Sequence, residues 1–258
     1  MKIALLQLQV LEKNKAANVA HALELLESTA SQHDLVVMPE VWTTGYSLGH
    51  LQTEAELPES PLIAKLQQIA REKHCHILAG SIPMQREGKV YNTSLAIAND
   101  GSIVNNYAKV HLFGLFHEER FFAPGDNFNA FDLGDVRCGS TICYDLRFPE
   151  LFRHLALQGA QIIFCPAEWP IVRGEAWRLL VQARALENHL FIVAVNCTGT
   201  FKKDTFYGHS MVVAPSGKII AEAGMDEEVV SCEIDLKAID EVRACINVLK
   251  DVREELIH

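Results

Sequence analysis

Short, wholly apolar runs separated by stretches of helical periodicity constrain this chain more than any other feature. DLVVM at 34–38 shows the pattern. A strand without a polar face cannot lie against water, so it belongs in a sheet covered on both sides. Residues 2–10, 75–82, 91–99, 102–109, 136–142, 162–165, 190–196, 209–214, 218–223 and 229–234 also read as strands. Between them, Ala17, Ala20, Leu23, Leu26 and Ala30 recur at helical spacing within 14–32. Residues 60–73, 148–158 and 175–188 read as further helices, the first with Ser60 as N-cap and Pro61 at the first helical position. Asn99-Asp100-Gly101 and Pro215-Ser216-Gly217 mark hairpin turns, so the sheets are mixed. Residues 111–129 lack a period and read as a long functional loop, and the tail after Asp235 is mixed and charged. Alternation of this kind specifies an α/β fold. It leaves a two-sheet sandwich and a doubly wound sheet equally open.

With 258 residues, 49% of them apolar, and no Gly/Ser/Pro-rich linker, the economical expectation is one domain over 1–258. A formal net charge of −10 repels phosphate backbones and argues against a nucleic-acid partner. No apolar run approaches the ~20 residues that cross a bilayer. MKIALLQLQV runs on without a small-residue cleavage site, so it is expected to be the first strand rather than an export signal, with the cytoplasm as default location. The seven cysteines form no C-x-x-C pair, and His74-Cys75-His76 has no further ligand cluster nearby, so no metal is expected.

Three ionisable residues stand just past the ends of apolar strands: Glu40 after LVVMP, Lys109 after IVNNYA and Cys143 after VRCGSTI. Open α/β sheets build their sites at the carboxyl ends of strands. A carboxylate, an ammonium and a thiol meeting there would supply a base, an oxyanion stabiliser and a nucleophile for acyl transfer. Free thiols titrate near ~8.5, so Cys143 needs a base, and Glu40 is the candidate. The backbone N–H of Tyr144 is a second oxyanion donor. Each residue also has an ordinary reading: a solvated strand-end Glu or Lys, or a core thiol. Spacing alone does not show that they converge.

PEVWTTGY (39–46), YAKVHLFG (107–114) and GSTICYDLRFPE (139–150) resemble, in order, the three signature blocks of the carbon–nitrogen hydrolase, or nitrilase, superfamily. The resemblance implies a four-layer αββα sandwich with two mixed β-sheets, a Glu40–Lys109–Cys143 triad, no cofactor or metal, and a homodimer. It also implies a second carboxylate six residues before a Pro-Gly, which falls on Glu118, with Glu119 the alternative. CYDLRFPE resembles the omega-amidases and Nit-type amidases, and the implied substrate is a small-molecule amide. That group hydrolyses the terminal amide of 2-oxoglutaramate or 2-oxosuccinamate to the 2-oxo acid and ammonia through a cysteine thioester.

Such a substrate needs a cation for its far carboxylate. Arg147 is the candidate, although it could instead pair with Asp145 or another acid. Phe116, Trp169 and Tyr144 are candidate pocket walls. His111 is a candidate for ordering the loop, and Arg184 with Glu187 for a helical ion pair. Other amides, carbamoyl compounds or nitriles remain alternative substrates, and a non-catalytic binding role is a further alternative.

Overall fold

The computed structural model describes residues 1–253. The strands of the two large sheets, in chain order, are β1 (Lys2–Gln7), β2 (Leu35–Val37), β3 (His76–Leu78), β4 (Ile82–Arg86), β5 (Lys89–Ile97), β6 (Ile103–Ala108), β7 (Phe131–Leu133), β8 (Val136–Ser140), β9 (Ile162–Ala167), β10 (Phe191–Asn196), β11 (Met211–Val213), β12 (Ile219–Glu222) and β13 (Glu228–Glu233). The long helices are α1 (Lys15–Ala30), α2 (Pro61–Lys73), α3 (Pro149–Leu157), α4 (Gly174–Asn188) and α5 (Lys237–Cys245). One sheet runs β13-β1-β2-β3-β5-β4, with β6 on the other side of β5; the second runs β12-β11-β10-β9-β8-β7. In each, three neighbouring strands are parallel (β1-β2-β3 and β8-β9-β10) and the flanking pairs are antiparallel.

The period-two alternation of the apolar strands fixes the layers. Ile3, Leu5, Leu35 and Val37 point inward against Ile162, Phe164, Phe191 and Val193 of the opposite sheet. Their neighbours Ala4, Leu6 and Val36 point outward under α1 and α2, and Ile163, Cys165, Ile192 and Ala194 outward under α3 and α4. Both faces of each parallel strand are therefore dry along its middle, which is why the polar residues of these strands, such as Lys2, Gln7, His76, Arg137 and Asn196, stand at or next to their ends. The result is a four-layer αββα sandwich with two mixed sheets.

Several expectations are refined. The strand at 75–82 is two strands, broken where Gly80 turns with φ +58°. A Cβ there would lie 1.9 Å from the Pro39 carbonyl oxygen, so only glycine lets the two chains approach. Residues 111–129 contain two short 3-10 turns, Gly114–Phe116 and Glu118–Arg120. The charged tail contains α5, whose Ile239 plugs the end of the inter-sheet layer. Ser60 caps α2 as expected, its Oγ accepting from Ile63 N at 3.4 Å. No helix among the described residues is long and apolar enough to cross a membrane.

Candidate active site

The carboxyl ends of β2, β6 and β8 converge at one edge of the sandwich. Glu40 follows β2, Lys109 follows β6 and Cys143 follows β8. Two of these exits are strained: Val41, next to Glu40, has φ +35°, and Cys143 has φ +47°. A β-branched or bulky residue in the left-handed region persists only where the surroundings over-determine it. Here they do. The Val41 N–H donates to Ser81 Oγ at 3.0 Å. The Cys143 turn is pinned by Asp145, which accepts from Ile142 N (2.9 Å), Tyr107 Oη (2.6 Å), His111 N (3.0 Å) and the His111 ring (2.8 Å). His111 also stacks on Phe148, with ring centroids 3.6 Å apart. One aspartate thus ties the cysteine turn to the strand end that delivers the lysine. Gly125 closes the far side: its N–H donates to Lys109 O at 2.8 Å, and a Cβ would lie 2.1 Å from Ala108 O.

Glu40, Lys109 and Glu118 are fully buried, and both carboxyl groups bond the lysine. Lys109 Nζ donates to Glu40 Oε1 at 2.8 Å and to Glu118 Oε1 at 2.9 Å. Glu40 Oε1 also accepts from Asn92 Nδ2 at 2.8 Å and Tyr46 Oη at 3.1 Å, and Oε2 accepts from the Glu168 N–H at 2.9 Å. The Tyr46 hydroxyl also bonds Glu118 Oε1, and Glu118 Oε2 accepts from Phe113 N at 2.8 Å. Burial by itself would strip the Lys109 ammonium of its proton, but the Glu118 and Glu40 carboxylates outweigh it and hold the lysine well above its ordinary range. Burial raises Glu118, against the opposing pull of Lys109. It also raises the Cys143 thiol, which Glu40 raises further by charge and by a hydrogen bond and which Lys109 opposes. Burial and the neighbouring Glu40 thus favour the thiol form of Cys143 over a free thiolate.

Above this cluster opens a narrow cavity of about 20 Å³, lined by Tyr46, Phe113, Cys143, Tyr144, Arg147, Glu168, Trp169, Pro170 and Arg173. Glu118, rather than the exposed Glu119, faces Lys109. Tyr144 and Trp169 line the cavity. Phe116 does not: it packs on Tyr46 (5.0 Å) and Phe113 (5.1 Å) and lines an outer basin, and Phe113 forms the wall in its place. Arg147 has no acidic partner among the described residues, because Asp145 is committed elsewhere. Its guanidinium lies 5.0 Å above the Trp169 ring. Arg184 does pair with Glu187, at 2.7 Å.

Tyr46, Asn92, Phe113, Asp145, Glu168, Arg173 and Asn196 have site positions that the sequence reading did not assign. Asn196 ends β10 and holds the Glu168–Trp169 loop, accepting from Trp169 N at 2.7 Å and donating to Trp169 O at 3.2 Å. Glu168 had the same signal as Glu40, an ionisable residue directly after an apolar strand. Tyr46 closes the first signature block.

A carbon–nitrogen hydrolase family model matches residues 2–244. A 2-oxoglutaramate amidase of Bacillus subtilis (strain 168) is 37% identical, over 98% of each chain. The human omega-amidase NIT2 is 34% identical, over 99% of this chain and 96% of that protein. The crystal structure of Saccharomyces cerevisiae Nit3, described as a member of branch 10 of the nitrilase superfamily, has a TM-score of 0.89 at 32% identity, covering 95% of this chain and 94% of that one.

Proposed function

This chain belongs to the carbon–nitrogen hydrolase family, and on that premise we propose that it is an amidase that hydrolyses the terminal amide of a small 2-oxo acid, such as 2-oxoglutaramate or 2-oxosuccinamate, to the acid and ammonia. The observation that carries the chemistry is the buried Lys109 ammonium shared between Glu40 and Glu118, with the Cys143 thiol against Glu40 at the cavity floor. Glu40 takes the thiol proton as Cys143 attacks the amide carbon. The oxyanion settles between Lys109 Nζ and the N–H of Tyr144, the second residue of its 3-10 turn, which has no acceptor within that turn. Protonated Glu40 passes its proton to the departing ammonia and leaves a thioester on Cys143. Water, deprotonated by Glu40, then hydrolyses it. Glu118 also accepts from Lys109 and helps keep the ammonium charged.

The substrate class rests on the named activities of the relatives and on Arg147 and Arg173. Both reach the cavity and neither has an acidic partner among the described residues, which suits the far carboxylate of a 2-oxo acid amide. We further propose that the enzyme works as a homodimer in the cytoplasm and has no nucleic-acid partner.

The test is an ammonia-release screen over amides, carbamoyl compounds and nitriles. 2-Oxoglutaramate or 2-oxosuccinamate is expected to be the preferred substrate, and Cys143→Ala to abolish release with an unchanged circular dichroism spectrum. Preference for a carbamoyl compound or a nitrile would overturn the substrate assignment. Inertness to every C–N substrate would favour a binding role.

A further inference from the structure

Glu168 is the one carboxyl at the cavity that the mechanism above leaves unused. It follows β9, is 1% exposed, and lines the cavity with Cys143 and Trp169. Its backbone N–H is committed to Glu40 Oε2, so its side chain leaves the chain at the end of the cavity where the nucleophile and base meet. Neither carboxyl oxygen receives a hydrogen bond from a nitrogen or hydroxyl group. Its polar company is the Cys197 thiol, a weak donor.

We propose that Glu168 is an uncharged acid that hydrogen-bonds the scissile primary amide of the substrate and so orients the amide carbon onto Cys143. The first argument is a charge count. Three carboxyl groups, Glu40, Glu118 and Glu168, surround the single ammonium of Lys109, and water reaches none of them. Lys109 is bonded to Glu40 and Glu118 and not to Glu168. A third buried anion without a partner is the costliest arrangement available, and taking up a proton avoids it. The groups facing Glu168 act in the same direction. Burial raises its proton affinity well above the carboxylate range, and the charges of Glu40 and Glu118 add to this. The Cys197 hydrogen bond and the Lys109 charge only partly oppose it.

The second argument is complementarity. A buried carboxylic acid with unused atoms has one O–H to give and one carbonyl oxygen to receive. A primary amide has an N–H to give and a carbonyl oxygen to receive. With the amide oxygen directed to Lys109 and the Tyr144 N–H, the Glu168 carbonyl oxygen is left for an amide N–H. An ester of the same acid has no such hydrogen. Glu168 therefore selects for a primary amide, which a charged carboxylate beside Glu40 would do only at the expense of the base.

This inference rests on Cys143 acting in an amidase, and the experiment separates the two. Glu168→Gln and Glu168→Leu are compared with the parent on 2-oxoglutaramate and on the corresponding terminal methyl ester. Glutamine keeps a neutral carbonyl and a donor, so kcat/KM on both substrates should stay within about threefold of the parent. Leucine keeps the volume only, so kcat/KM on the amide should fall about tenfold while the ester is nearly unaffected. Equal losses on amide and ester, no loss with leucine, or a glutamine variant as impaired as the leucine one would overturn the proposal. An infrared difference spectrum of parent minus Glu168→Gln at neutral pH should contain the C=O stretch of a protonated carboxyl. Its absence overturns the proposal independently of turnover. A parent inactive on 2-oxoglutaramate but active on another primary amide would refute only the substrate assignment, and the same comparison on that amide would then decide the role of Glu168.

Discussion

At the residue scale the site depends on one ammonium held between two acids. Removing Lys109 leaves Glu40 and Glu118 facing each other without a cation in a water-free pocket. Breaking a buried pair from one side typically costs ~3–5 kcal/mol, and losing one oxyanion donor costs ~10²–10³ in rate. Lys109→Met is accordingly expected to lower the melting temperature and to reduce ammonia release at least a hundredfold, read by thermal denaturation and steady-state kinetics. An active, equally stable variant would show that the lysine is a bystander. Glu40, Lys109 and Cys143 were legible as ionisable groups just past strand ends, and the three signature blocks around them, rather than the spacing, joined them into a triad. Their partners were harder to see. Asn92 lies inside a strand, Tyr46 and Asp145 lie inside signature blocks where their side chains have no distinctive spacing, and Glu168 was passed over although it obeys the strand-end rule. Phe116 faces the outer basin rather than the cavity, and an aromatic residue's facing cannot be read from a loop without a period.

At the element scale, the dry runs such as 34–38 and 190–196 and the Ser60-Pro61 helix start were readable because each follows from a local rule. α5 was missed because its apolar positions, Ala238, Ile239 and Val242, span little more than one turn of a nine-residue helix and are interrupted by charges. The break between β3 and β4 was missed because a single glycine makes it. That glycine also holds the base. Gly80→Ala would drive a methyl group into the Pro39 carbonyl, next to Glu40. Misplacing a catalytic group by about 1 Å can cost ~10²-fold, so kcat is expected to drop on that order. Gly88→Ala is the control: φ is +76° there too, but nothing lies within 4 Å of the new Cβ. It should cost only the backbone penalty of about 1 kcal/mol and leave kcat unchanged. Similar losses of kcat in both variants would refute the account of how Glu40 is positioned.

At the scale of the whole molecule, charge is unevenly distributed. The chain carries −10, yet the outer basin leading to the cavity is lined by Lys13, Arg120, Arg173, Lys202 and Lys203 against Glu12 and Asp204. Such a funnel attracts anions, and salt screens it over ~8–10 Å. Added salt is thus expected to lower kcat/KM for a 2-oxo acid amide and leave that for an uncharged aliphatic amide flat, measured across an ionic-strength series. Glu168 also links the site to global stability. Its folded-state proton affinity is raised, so the native state keeps a proton that the unfolded chain loses above the ordinary carboxylate range. Its presence therefore weakens folding progressively as pH rises from about 4. Glu168→Gln removes that linkage, and should melt above the parent at about pH 8 and level with it at about pH 4. The central claim, however, is covalent. The most direct measurement is rapid acid quench of turnover on 2-oxoglutaramate, followed by peptide mass mapping. The acyl group is predicted on Cys143, with ammonia released as it forms and neither observed in Cys143→Ala. An acyl group on any of the other cysteines, or ammonia released by the alanine variant, would contradict the account.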